Sequence, residues 1–232
     1  AVVIGGGYIG LEAAAVCAKK GLHVTLIEAA ERILQRVAAP ETSDWFRELH
    51  RGHGVDIREG IGTARIEGEE RVTGVRLADD TLLPADLVIV GIGISPETRL
   101  AEEAGLEIDN GIATDAFART SDPHIWAAGD CASLVFNGER IRLEAVSNAI
   151  DMGEAVARNI MGAAQPYVPK PWFWSDQYDV HLQIAGLSRG YDSVHVREDT
   201  GLSHWYYAGE RLIAVDAMND ARTYMVARRL LD

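Results

Sequence analysis

A doubly wound α/β fold built on a parallel sheet is predicted by three observations between Ala1 and Gly93. The chain opens on an apolar strand, Ala1-Val-Val-Ile4, that runs straight into Gly5-Gly-Gly-Tyr-Ile-Gly10 and a helix of mostly small and apolar residues. A second strand, His23-Val-Thr-Leu-Ile27, ends on the acid Glu28. A third run, Ala85-Asp-Leu-Val-Ile-Val-Gly-Ile-Gly93, is apolar nearly throughout, as expected of a parallel strand covered on both faces.

Each part of the opening has a chemical reason. Gly5 permits the tight turn after the strand, Gly7 lacks the Cβ that would block a pyrophosphate, and Gly10 lets the helix lie close on the sheet. The helix, expected from about Tyr8 to Lys20, aims its free N–H groups and positive dipole end at the phosphates, which places Tyr8 and Ile9 at the cofactor as well. The carboxylate of Glu28 can accept hydrogen bonds from both adenine-ribose hydroxyls and would repel a 2′-phosphate, which favours NADH over NADPH. Arg32 and Arg36, just beyond it, could meet a phosphate, and Arg36 is counted among the cofactor-binding residues. The glycines alone specify only a loop. Strand, glycines, helix, second strand and terminal acid together specify a Rossmann-like dinucleotide site.

Further along, Pro40 to His50 reads as a helix with Trp45, Phe46 and Leu49 inward. A strand is expected over 55–58. Gly62 to Glu67 and Arg71 to Leu77 alternate apolar and polar residues around Gly68-Glu-Glu70 and Ala78-Asp-Asp80, the pattern of a β-meander. The Gly91-Ile92-Gly93 end of the third apolar run gives a second loop able to approach the same cofactor. Asn110 to Asp115 and Thr120 to Cys131 read as two short strands, the latter ending in Gly129-Asp130 at a binding crevice. In the last third, residues 182–186, 193–197, 202–207 and 212–215 alternate in strand fashion and 219–231 closes as a helix, an α+β arrangement.

Composition narrows the partners. The 232 residues are 47% apolar and carry a net charge of −13, which suits buried α/β layers and argues against nucleic acid and anionic membrane surfaces. No stretch reaches the roughly eighteen consecutive apolar residues of a membrane span, and the cytoplasm is the expected location. Cys17 and Cys131 are the two cysteines, far apart and without a CxxC motif, so neither a disulfide framework nor a zinc ribbon is indicated. Thiol catalysis at Cys131 would want a partner cysteine or a neighbouring base, and the local sequence offers neither.

Five motifs carry a resemblance that runs over essentially the whole chain: Gly5 to Glu12, Gly91 to Gly93, Ala128-Gly-Asp130, Glu144-Ala-Val146-Ser-Asn148, and above all Pro171-Trp-Phe-Trp174-Ser-Asp-Gln177. With these the chain resembles the pyridine-nucleotide-dependent flavoprotein reductases, and among them the ferredoxin reductases of oxygenase and cytochrome P450 systems. The resemblance implies that NADH reduces FAD, which passes electrons singly to a small acidic ferredoxin-type iron–sulfur protein. It implies an NAD-binding domain over 1–108, the second segment of an FAD-binding domain over 109–164, and a C-terminal reductase domain over 165–232. The FAD domain's own glycine fingerprint normally precedes these segments. The chain is therefore expected to be a truncated or processed piece of a longer enzyme, holding no flavin and showing no diaphorase activity by itself.

The resemblance also assigns roles. Gly129 and Asp130 would meet the FAD ribityl chain, and Val146 would open a helix whose N-terminus faces the flavin ring. Glu12 and Glu144 would line the nicotinamide end and Trp174 would stand beside the isoalloxazine, the three residues nearest the chemistry. Arg222, Arg228 and Arg229 are candidates for receiving the acidic partner, or equally for a solvated helix face. A thioredoxin-reductase-like protein is disfavoured by the lack of CxxC. The alternative is an NADH-binding flavoprotein of the NADH-oxidase or apoptosis-inducing type, acting as an oxidase or an interaction module.

Overall fold

The computed structural model describes residues 1–231; Asp232, the last residue of the expected C-terminal domain, lies outside the described residues. In chain order the first elements are β1 (Val2–Ile4), α1 (Tyr8–Lys19), β2 (Thr25–Ile27), α2 (Pro40–Gly52), β3 (Asp56–Arg58), β4 (Thr63–Gly68), β5 (Val72–Leu77), β6 (Leu82–Pro84) and β7 (Val88–Val90). Next come α3 (Arg99–Glu103), β8 (Ile112–Ala113), a 3-10 turn at Gly129–Cys131, β9 (Ala132–Phe136), β10 (Glu139–Ile141) and α4 (Val146–Ile160). The chain closes with β11 (Trp172–Gln177), β12 (Val180–Gly186), β13 (Ser193–Glu198), β14 (Leu202–Ala208), β15 (Arg211–Met218) and α5 (Ala221–Leu231). Two compact units result, Ala1–Gly93 with Trp174–Leu231, and Ile94–Phe173.

The first unit is built on a parallel sheet of order β3-β2-β1-β7. Val3 lies opposite Leu26 on one side and Ile89 on the other, and Leu26 opposite Ile57. From β1 the chain moves outward to β2 and β3, then returns to β7 on the far side of β1. Strand order therefore reverses between β1 and β7, the position at which open α/β sheets bind ligands. Alternate residues of β1 serve opposite faces. Val3 joins Leu11, Ala14 and Cys17 of α1 and Phe46 of α2 in one core, whereas Val2 and Ile4 meet Val75, Leu77 and Leu83 of the β4-β5-β6 meander in another. Helices thus cover one face of the sheet and the meander covers the other.

The run 85–93 is less strand than its composition predicts. Only Val88–Val90 pairs, and Val90 is exposed while Val88 and Ile89 are half-buried. As an edge strand, β7 has β1 as its one neighbour, so Val88 and Ile89 reach the two cores and the residues beyond them do not.

Helix α2 starts with Pro40 in its first turn, where a missing N–H costs nothing. Phe46 is fully buried and Trp45 and Leu49 partly so, as the periodicity predicts, but Thr42, Ser43 and His50 are buried too. The loop leading to α2 is pinned by Glu59, which accepts Arg47 Nε and Nη2 at 2.8 and 2.9 Å and the Ile33 N–H at 2.8 Å. Burial opposes ionisation of Glu59, but the Arg47 hydrogen bonds and the Ile33 N–H hold its pKa below the ordinary glutamate value. Glu59→Ala is expected to lower stability by about 2 kcal/mol in urea unfolding, the loss of a partly buried bidentate pair and a backbone acceptor.

The same unit holds an antiparallel sheet of order β11-β12-β15-β14-β13, with α5 against β12 and β15. Val180, Leu182 and Met218 carry it into the core shared by α1 and α2. The Trp-Phe-Trp-Ser-Asp-Gln motif is itself the strand β11, an element the alternation elsewhere does not reveal.

In the second unit, β10-β9-β8 form a small sheet in which β8 and β9 run parallel. Thr120 to Cys131, predicted as a strand, is not one. A turn at Asp122-Pro123, closed by Thr120 Oγ1 donating to the Ile125 carbonyl at 2.9 Å and by the His124 N–H donating to Asp122 Oδ1 at 2.8 Å, uses up the local hydrogen bonds. Only the Arg119–Trp126 bridge pairs there, and the strand falls after Gly129-Asp130, at β9. Among the described residues no helix is long and apolar enough to cross a membrane.

Candidate nucleotide sites

Close backbone approach governs the turn after β1. Gly5 has φ +107°, and a Cβ on it would stand 2.3 Å from the Gly91 carbonyl oxygen. One on Gly10 would stand 1.8 Å from the Gly5 carbonyl oxygen. The ends of β1 and β7 are tied by the Gly91 N–H on the Ile4 carbonyl at 2.8 Å, so the two glycine loops share one crest. Gly7 differs from its neighbours: a Cβ there meets no protein atom within 4 Å. It caps α1 without a side-chain hydrogen bond to the first-turn amides. Ile9 and Ile92, 62% and 69% exposed, flank the crest with apolar surface.

Glu28 closes the far side. Its Oε2 accepts the Gly6 N–H at 2.6 Å and its Oε1 the Ala30 N–H at 2.7 Å, which fixes the carboxylate at the edge of the glycine turn. Of the two arginines, Arg32 is committed to structure, donating to Ser43 and to the Ala38 carbonyl at 2.9 Å. Arg36 is exposed, and its Nη2 is the nearest atom, at 3.7 Å, to where a Gly93 Cβ would stand. Gly5, Gly7, Tyr8, Ile9, Gly10, Glu28, Arg36, Gly91, Ile92 and Gly93 thus gather at one end of the parallel sheet.

Tyr8 points inward. Burial, the charge of Asp216 and Tyr206 push its phenol well above the ordinary tyrosine value. Behind it lies a polar cluster that sequence alone does not disclose. Asp216, 1% exposed, accepts Thr42 Oγ1 at 2.8 Å and the Tyr206 hydroxyl. Since the Thr42 proton goes to Asp216, His204 Nδ1 donates to Thr42 Oγ1 at 2.7 Å. Glu12, one turn along α1, accepts Ser175 Oγ at 2.6 Å, next to Trp174, which is 36% exposed. The one signal that could have found His50 and Thr42 is their position on the inward phase of α2, four residues either side of Phe46.

The second unit gathers the remaining expected residues. Gly129 has φ +78° and a would-be Cβ 3.4 Å from Ala149 Cβ, so the Gly-Asp turn packs on α4 with Asp130 exposed. Helix α4 begins at Val146, 61% exposed, with no side-chain cap. Ser147 Oγ donates to the Trp172 carbonyl at 3.1 Å, and Glu144 is held in an ion pair by Arg142.

Residues 1–153 match the family model described as pyridine nucleotide-disulphide oxidoreductase, and residues 172–232 match the one described as reductase C-terminal. The chain belongs to the pyridine nucleotide-disulphide oxidoreductase family. It is 46% identical, over 99% of its length, to the 5,5′-dehydrodivanillate O-demethylase ferredoxin reductase subunit of Sphingobium sp. (strain NBRC 103272 / SYK-6). It is 46% identical, over 94%, to the putidaredoxin reductase of Pseudomonas putida. The covalent putidaredoxin reductase–putidaredoxin complex contains a chain that superposes with a TM-score of 0.94 at 44% identity, covering 99% of this chain and 57% of that one. The chain spans 58% of the Sphingobium relative and 54% of the Pseudomonas one.

Proposed function

We propose that this chain supplies the NADH-binding domain, over 1–108, a segment of the FAD-binding domain, over 109–164, and the reductase C-terminal domain, over 165–232, of a cytoplasmic ferredoxin reductase. Electrons pass from NADH through FAD to a small acidic iron–sulfur protein. The observation that carries the reading is the shared crest of Gly5–Gly10 and Gly91–Gly93 at the reversal of strand order, closed by Glu28.

The residues fit both nucleotides. For NADH, the Gly7 position leaves room for a pyrophosphate on the first-turn amides of α1, and Arg36 adds charge at the Gly93 edge. Glu28 accepts the adenine-ribose hydroxyls on lone pairs that its two backbone N–H partners leave over. Glu12 hydrogen-bonds the carboxamide and orients the ring, and Trp174 stands beside the reacting face. For FAD, Gly129 and Asp130 meet the ribityl chain and the uncapped N-terminus of α4 at Val146 stabilises negative charge on the ring. FAD, when bound, supplies the conversion of a two-electron donor into single electrons. Arg222, Arg228 and Arg229 receive the acidic partner.

Calorimetric titration of the chain with NADH and NADPH tests the reading. NADH is expected to bind at least about tenfold more tightly, and Glu28→Ala to remove most of that difference, since a carboxylate opposed to a 2′-phosphate is worth about 1–2 kcal/mol. Equal affinities in the parent chain would refute the assignment of Glu28.

A further inference from the structure

The motif strand β11 sends a hydrogen-bond chain through the interior of the first unit to Glu12, and every donor in it points the same way. Gln177 fixes the direction. Its Oε1, which can only accept, lies 2.8 Å from His50 Nε2, so that nitrogen carries the proton. His50 Nδ1 is then the acceptor for the Tyr178 hydroxyl at 3.1 Å. Gln177 Nε2 in turn donates to Ser175 Oγ at 3.1 Å, which leaves the Ser175 proton for Glu12 Oε1 at 2.6 Å.

Burial makes this chain stiff. Ser175, Gln177 and His50 are all fully buried, and burial lowers the basicity of His50, favouring the neutral ring the chain requires. At the far end, Tyr178 stacks on His53 at 3.6 Å between ring centroids and gives its carbonyl to Lys19 Nζ at 2.5 Å. Helix α1 is thus fastened at its last turn to the β11–β12 turn by Lys19 and near its first turn to β11 itself by Glu12. A core position filled by packing alone would be apolar at Ser175 and Gln177, because buried polar groups cost free energy unless each is matched. Here each is matched, and the chain of donors ends on the Glu12 carboxylate, one turn into α1 beyond the glycine turn.

We infer that Ser175, Gln177 and His50 are positioning residues that set the orientation of the Glu12 carboxylate toward the nicotinamide half of the bound dinucleotide. The inference rests on the role proposed above for Glu12.

Titration of the purified chain with NADH and with ADP-ribose, which lacks the nicotinamide, tests it. Ser175→Ala is expected to weaken NADH about fivefold, the loss of one donor to a carboxylate, with ADP-ribose unchanged within about twofold. Ser175→Thr, which keeps the hydroxyl, is expected to restore NADH binding. Equal weakening of both ligands by Ser175→Ala would reveal a merely structural role and overturn the inference. Glu12→Gln separates the two failures. If it weakens NADH selectively and Ser175→Ala does not, the positioning role falls and the role of Glu12 stands; if Glu12→Gln spares NADH, both fall. Nitrogen-15 NMR of His50 gives a check independent of ligand: the Nε2–H tautomer is expected, and Nδ1–H would break the chain.

Discussion

Gly10→Ala is expected to lower the stability of the chain by about 3 kcal/mol and to abolish measurable NADH binding, the upper range for forcing a methyl into a packed interior. The added carbon would stand 1.8 Å from the Gly5 carbonyl oxygen and 3.0 Å from its carbon. Neither partner can step aside. The Gly5 N–H is held by the Ile27 carbonyl at 2.7 Å, and Leu11, the next residue of α1, is fully buried in the main core. Relief therefore requires the first turn of α1 to lift from the sheet, which carries the amides proposed to bind phosphate away with it. Gly7→Ala is the internal control. Its methyl meets no protein atom within 4 Å, and φ at this position is −79°, which any residue adopts. Stability is expected to hold within about 1 kcal/mol, the small preference of a helix cap for glycine over alanine, while NADH binding weakens by tenfold or more. Urea unfolding and calorimetry on both variants decide the matter: equal stability of the two would contradict the close approach of Gly10, and unchanged NADH affinity in Gly7→Ala would move the pyrophosphate elsewhere.

The second large effect concerns Asp216. Burial raises its pKa to about 6, against the hydrogen bonds from Tyr206 and Thr42, which lower it. In the unfolded chain the same carboxyl titrates near about 3.9. Between these values the folded protein holds a proton that the unfolded chain has released, so stability falls as pH rises through this window and levels off above it. A displacement of about two units corresponds to about 3 kcal/mol. The stability of the parent chain relative to Asp216→Asn is accordingly expected to drop by about 2 kcal/mol from pH 4 to pH 7, the rest of the difference being lost below pH 4. Parallel urea titrations across that range would show it, and a constant difference between the two proteins would mean that Asp216 is not the titrating group. Because Asp216 and Tyr206 also act on Tyr8, the cluster links the charge state of the C-terminal sheet to the first residue of α1.

Much of the dinucleotide site is legible from local chemistry. The demands on Gly5 and Gly10 are demands of the chain on itself, a turn and a close approach within six residues, and a sequence motif expresses them directly. Glu28 is legible for the same reason, standing at the end of the next strand. Arg32 and Arg36 are not separable by sequence, because their difference lies in partners: Ser43 and the Ala38 carbonyl claim one and leave the other at the Gly93 edge. Thr120 to Cys131 misleads for a related reason. Its small apolar residues suit a strand, but the Asp122-Pro123 turn satisfies the backbone locally and shifts the strand to Ala132.

By itself the sequence did not show β6 or the short extent of β7, but it determined the order of strands and helices from β1 to β5 and the glycine turn with its acid. These follow from periodicity and from glycines whose requirement is steric and local. The tertiary structure decided which polar residues are buried. Thr42 and His50 sit on the inward phase of α2 among residues that read as apolar, and their partners lie on β11, β14 and β15 far along the chain. A buried hydroxyl or imidazole is tolerated only where a matching donor or acceptor meets it, and that meeting is a property of the folded packing, not of sequence spacing. The opening glycine turn is therefore legible as the proposed dinucleotide site, while the side chains that hold Glu12 in place come into view only when β11 is laid beside α1 and α2.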